Sequence, residues 1–111
     1  MVDVYHYTDK KGYNAISSQS PYIFKSSAPD KGHPKGVYVT TMSPEQLLHK
    51  PGGFKSYLGL TSDKSEYYFK FKIEKCKLKK IKGGRSSHVN YIDHDLIVPR
   101  TSVISHGKTD K

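Results

Sequence analysis

Val4-Tyr5-His6-Tyr7-Thr8 and Gly36-Val37-Tyr38-Val39-Thr40 are the two strings on which the fold turns. Both are rich in β-branched and aromatic residues, which favour extended backbone. Side chains on such a backbone alternate between two faces. Over Val2–Thr8 the alternation puts Val2, Val4 and His6 on one face and Tyr5 and Tyr7 on the other. Each string presents one polar aromatic group, His6 and Tyr38, and both are expected to point into one shared cleft. An imidazole that hydrogen-bonds a sugar hydroxyl and a phenol that stacks on a flat ring suit a nucleotide better than they suit a core.

The segments around these strings fall into short elements. Asp9 is placed to cap a helix over about Lys10–Ser17, with Tyr13 and Ile16 facing inward. Ser18–Pro34 is rich in Ser, Pro, Gly and Lys and reads as a loop with a brief extended stretch at Tyr22–Lys25. Ser43-Pro44-Glu45-Gln46 starts a second helix, with Ser as N-cap, Pro at the first position and Gln at the third. Leu47 and Leu48 lie in that helix, and Pro51-Gly52-Gly53 ends it. Phe54–Lys64 reads as a loop with one helical turn. Glu66–Glu74 alternates best, with Tyr67, Phe69, Phe71 and Ile73 on one face. Cys76 and Leu78 fall on the opposite parity, which predicts a bulge or strand end near Lys75. Gly83-Gly84 interrupts the chain, and Leu96–Pro99 and Ser102–Ser105 read as two last strands.

The count is about five to seven strands with two or three short helices, helices early and strands late, which is an α+β plan and not a βαβ winding. The 111 residues suffice for one core, and no repeat or linker divides them. Hydrophobic content is 34% and mean hydropathy -0.70, so nine tyrosines and four phenylalanines must supply much of that core. No run is long enough to span a bilayer, and the first residues carry no conventional signal peptide. The single cysteine, Cys76, leaves no internal disulfide and no cysteine-rich zinc site, and reads as a packing thiol. His33, His49, His88, His94 and His106 show no metal-ligand spacing. A net charge of +9 creates a field that draws anions: nucleic acid, an acidic protein or an anionic surface.

A third feature joins His6 and Tyr38. Asp93-His94-Asp95 stands just ahead of Leu96-Ile97-Val98-Pro99. A carboxylate at the mouth of a short buried strand is held rigidly, as a catalytic group must be.

Taken in order, the Tyr-His-Tyr-Thr strand, the Gly-Val-Tyr strand with Thr after it, and the acidic residue ahead of an apolar run and Pro resemble the His-Tyr-Asp type of ADP-ribosyltransferase toxin domain. Such domains occur at the C-termini of bacterial polymorphic secreted proteins. The resemblance spans nearly the whole chain. It implies a split β-sandwich, two small sheets around an NAD cleft, with residues 1–111 forming a single catalytic domain as the toxin piece of a larger protein. It implies NAD as substrate and no metal. His6 would hold ribose hydroxyls, Tyr38 would stack on the nicotinamide, and Tyr7, Thr8 and Gly36 would belong to the same NAD-binding strings. Asp95 would take the place of the catalytic acid. Other transferase toxins usually carry glutamates in such a pair, so Asp93 stays open beside Asp95. Asp95 is favoured because it directly starts the apolar strand.

The chemistry suits one carboxylate. Breaking the nicotinamide–ribose bond passes through a cation-like ribose, much as glycoside cleavage does. A fixed carboxylate stabilises that charge and accepts a hydrogen bond from the 2′-hydroxyl. Nicotinamide leaves as a neutral ring, so no strong general acid is needed. The pyridinium of NAD is attracted by a tyrosine face.

Lys70, Lys72, Lys75, Lys77, Lys79, Lys80, Lys82 and Arg85 form a basic run. It reads either as a solvated face guarding an edge strand or as a nucleic-acid or acceptor surface flanked by Tyr67 and Tyr68. The expected partners are NAD, a macromolecular acceptor such as RNA, and an acidic immunity protein. The domain is expected to act as a monomer without membrane insertion, as a delivered effector in the target-cell cytoplasm. The alternative is a small basic ribonuclease or RNA-binding module, with His6 and a second histidine such as His88 as base and acid.

Overall fold

A computed structural model describes residues 2–26, 36–49, 65–80 and 89–109. Its strands are β1 (Val2–Thr8), β2 (Tyr22–Phe24), β3 (Val37–Thr40), β4 (Tyr67–Ile73), β5 (Lys79–Lys80), β6 (Val89–Ile92), β7 (Leu96–Val98) and β8 (Val103–Lys108). Its α-helices are α1 (Lys10–Ser17) and α2 (Pro44–Leu48). The order across the main sheet is β5-β6-β3-β1-β4-β8, and β2 pairs with β7 in a second sheet of two strands. Every pairing is antiparallel. This is the α+β, two-sheet plan expected. The strand count exceeds expectation because β5 and β6 carry no strong alternation of their own.

Local chemistry explains the early elements. The Asp9 carboxylate accepts the Gly12 N–H at 2.7 Å, capping α1. A Cβ at Gly12 would meet the Thr8 hydroxyl, so any larger residue there obliges that side chain to turn aside. At α2 the capping box is closed from both sides: Gln46 N–H donates to Ser43 Oγ at 3.1 Å, and Ser43 N–H donates to Gln46 Oε1 at 2.9 Å. α2 ends at Leu48; the expected Pro51-Gly52-Gly53 stop, the Phe54–Lys64 loop and Gly83-Gly84 lie outside the described residues. β4 ends at Ile73, and a 3-10 turn over Lys75–Lys77 absorbs the parity slip.

Register then builds the core. Val2, Val4 and His6 of β1 oppose Ile73, Phe71 and Phe69 of β4, and Val37 of β3 opposes Ile92 of β6. This face is covered by Ile16 of α1 and by Tyr22, Phe24 and Val98 of the small sheet. Each such large side chain contributes about 1.5–3 kcal/mol by leaving water. On the far face Tyr7, Met42 and Leu47 form a smaller cluster, edged by Tyr5 and Tyr68. The apolar run at Leu96–Val98, expected from its composition to be a buried strand, is buried only in part. Val98 packs inward while Ile97 is 62% exposed, because a sheet of two strands covers the core with one face only.

Candidate active site

His6 joins the two opening strings. β1 and β3 pair at Tyr5 and Thr40, and beyond that point the Tyr38 carbonyl is bonded by the His6 imidazole, Nδ1 to O 2.8 Å. A carbonyl only accepts, so Nδ1 carries the hydrogen. Burial pushes the imidazole below its ordinary pKa, against the opposing effect of that bond. The ring is therefore neutral at neutral pH, donating through Nδ1 and accepting through Nε2. The Phe24 ring meets it edge to face, centroids 5.1 Å apart.

The phenol of Tyr38 does not share this side. Its strand neighbours Val37 and Val39 are in the core with Val4, so Tyr38 has the opposite parity. It lies opposite Tyr91 and stacks on that ring at 5.8 Å. The single cleft expected for both side chains is thus replaced by an imidazole on one face, a phenol on the other, and a bond to the Tyr38 main chain between them. Tyr7 also lies on the far face, where its hydroxyl donates to the Met42 carbonyl at 2.7 Å and burial pushes its pKa well up. Thr8 has the parity of His6. At Gly36 a Cβ would come within 2.6 Å of the Ile92 carbonyl oxygen, so close strand packing by itself demands glycine.

The two acids have separate environments. Asp93 ion-pairs with Lys79 at 2.9 Å and is hydrogen-bonded by the His94 imidazole, Nδ1 to Oδ1 3.0 Å. The Lys79 bond, then that of His94, holds its carboxyl below the ordinary value. Asp95, at the entry to β7, belongs to the small sheet. Its Oδ1 accepts from Ser26 N–H at 2.7 Å and Ser26 Oγ at 2.8 Å, and Lys25 Nζ stands 3.7 Å from Oδ2. The next pair inward is Phe24 opposite Leu96, and Phe24 is the residue whose ring covers His6. Asp95 thus stands one step out along the chain from the Phe24–Leu96 pair, on the parity of the exposed Ile97, while Asp93 is tied to the β5 edge.

A neutral imidazole and a carboxylate held by two donors are the types of group that can receive a ribose hydroxyl and stabilise a cationic sugar. The model of a toxin family described as HYD1 signature containing ADP-ribosyltransferase matches residues 4–97. The chain belongs to the HYD1-signature ADP-ribosyltransferases. No curated protein and no solved structure matches it. For an ADP-ribosyltransferase NAD is the substrate, and among the described residues no group of three or more His, Cys, Asp or Glu is arranged to hold a metal. Nor, among those residues, is any helix long and apolar enough to cross a membrane.

The basic run of this transferase is dispersed. Lys70 and Lys72 project from the far face toward Asp3, at 3.9 and 3.2 Å, and Lys70 also lies over the Tyr5 ring. Lys77 sits in the turn after β4, Lys79 is engaged with Asp93, and Lys80 lies in β5. Lys82, Arg85 and His88 fall outside the described residues. Ser26 and Phe24 are the site residues that the sequence reading missed. Tyr22–Lys25 was legible as extended, but nothing local marks the residue after it as a partner of Asp95.

Proposed function

We propose that this domain cleaves the nicotinamide–ribose bond of NAD and transfers ADP-ribose to a macromolecule of a target cell. The observation that supports the reading is His6, held as a neutral acceptor by the Tyr38 carbonyl against the ring of Phe24, whose strand partner Leu96 follows Asp95 in the chain. In this reading His6 Nε2 accepts a ribose hydroxyl. The Asp95 carboxylate faces the positive charge that develops on the ribose as nicotinamide departs, and accepts the 2′-hydroxyl. Tyr38 contributes through its carbonyl, which fixes the tautomer of His6. The excess positive charge favours the pyrophosphate of NAD and an anionic acceptor, RNA foremost. The same field suits an acidic immunity protein.

The test is nicotinamide release from NAD by the purified domain, followed by mass spectrometry of the species in a lysate that gain ADP-ribose. Asp95→Ala is expected to lower release by about a hundredfold to a thousandfold while circular dichroism stays unchanged. Full turnover in Asp95→Ala and Asp93→Ala alike would overturn the assignment of the acid. Mass gain on protein with none on RNA would overturn the choice of acceptor alone.

A further inference from the structure

We infer that Ser26 is the positioning residue for Asp95; this rests on the reading of Asp95 as the acid of the transferase. Two donors of one residue, the main-chain N–H and the hydroxyl, converge on a single oxygen of Asp95, at 2.7 and 2.8 Å. A lone donor leaves a carboxylate free to turn about its side-chain torsions. Two donors on one oxygen from two directions remove that freedom and set where the second oxygen points. The contact spans 69 positions of the chain and ties the strand end after β2 to the strand start of β7.

The geometry gives the two oxygens unequal tasks. Oδ1 is the anchored atom. Oδ2 is the one beside the Lys25 ammonium, at 3.7 Å, on a side chain 46% exposed, and in this reading it is the oxygen that meets the substrate. Ser26 also favours the ionised carboxylate, since both its donors bond the charged form more strongly than the neutral one. The charged groups nearby are Lys25 on the same β2 end and, across the turn, Asp93 with its own partners Lys79 and His94. Ser26 differs from all of them in having no charge. Its removal changes the orientation and hydrogen bonding of Asp95 without changing the local charge balance.

Ser26→Ala keeps the main-chain donor and loses the hydroxyl, whereas Ser26→Thr keeps both. Nicotinamide release should fall about tenfold in kcat for Ser26→Ala, with KM within about twofold of the parent. The acid limb of its pH–rate profile should move to higher pH. Ser26→Thr should restore both rate and profile. An NMR titration of the Asp95 carboxyl carbon should show the same upward movement in Ser26→Ala and none in Ser26→Thr. An unchanged kcat in Ser26→Ala, an unmoved carboxyl titration, or equal losses in Ala and Thr variants would each overturn the positioning role. If the parent domain releases no nicotinamide at all, the underlying reading fails and this one with it. That result is distinct from an active parent whose Ser26→Ala variant keeps its rate.

Discussion

The two faces of the main sheet are built from the same few strands and do different work. The near face is a dry layer of Val4, Val37, Val39, Phe69, Phe71 and Ile92 in which His6 is the one titratable group set among them on β1. The far face carries Tyr5, Tyr7, Tyr38, Tyr68, Lys70 and Lys72 from alternate positions of the same strands. It borders an open groove of about 510 Å³ lined by Tyr5, Tyr68, Lys70 and Leu48 among others. On the near face His6 is packed against the apolar ring of Phe24, and its burial together with its bond to the Tyr38 carbonyl sets its tautomer. A polar group on the far face is solvated or committed to a local partner, as Lys72 is to Asp3. The lesson is that chemistry in this fold depends on which parity a residue takes, more than on which residue type it is.

The sharpest way to break that contrast compares two single variants. His6→Ala removes the near-face acceptor and is expected to lower kcat/KM for nicotinamide release by about a hundredfold. Tyr38→Ala removes only a far-face ring, since the carbonyl that holds His6 belongs to the main chain, and is expected to cost less than about threefold. Equal large losses would mean that the phenol reaches the substrate after all and that the faces do not divide the labour.

Acidity offers a second test. The folded-state pKa of His6 lies below the ordinary value of about 6.5, so between the two values the unfolded chain binds a proton that the folded chain does not. Unfolding stability should therefore be fully present above about pH 6.5 and decline as pH falls toward the folded pKa. A denaturant midpoint measured against pH should show this decline in the parent. The decline over that window should flatten in His6→Gln, which keeps a side-chain donor but does not titrate. An identical slope in both proteins would place the proton uptake elsewhere.

A smaller effect belongs to the far face. Tyr7 is buried, and its hydroxyl donates to the Met42 carbonyl. Tyr7→Phe leaves that carbonyl without this donor and is expected to destabilise by about 1–2 kcal/mol, read as a lower Tm, with nicotinamide release unaltered. A loss of activity without a loss of stability would move Tyr7 from scaffold to site.

The same contrast explains what could be read from the chain alone. The bounds of β1 and α1, the capping box at Ser43 and the face of β4 follow from patterns within a few residues, and these were legible. The parity within the first string was legible too: Val4 does lie with His6. The offset between the strings was not, because it is set by Tyr5 meeting Thr40 and by the His6 bond to Tyr38, which no local pattern encodes. β5 and β6 were missed because Lys79-Lys80 and Val89-Asn90-Tyr91-Ile92 become strands only by pairing with each other and with β3. The order of His, Tyr and Asp along the chain pointed to the family. Where each side chain ends up is a property of register.

The least effect is expected from Asp93, and for that reason it separates the two acids well. Asp93 and Asp95 are separated by a single residue, yet one is held by Lys79 and His94 at the edge of the main sheet and the other by Ser26 beside the small sheet. An exposed ion pair of the first kind contributes little, because water and salt screen it. Asp93→Asn should therefore leave Tm and nicotinamide release nearly unchanged, at pH values where that carboxyl, held below its ordinary range by Lys79 and then His94, is ionised in the parent. A large loss of release in Asp93→Asn, with Asp95→Asn active, would exchange their roles. It would also mean that the acid works from the β5 edge, where Lys79 holds it.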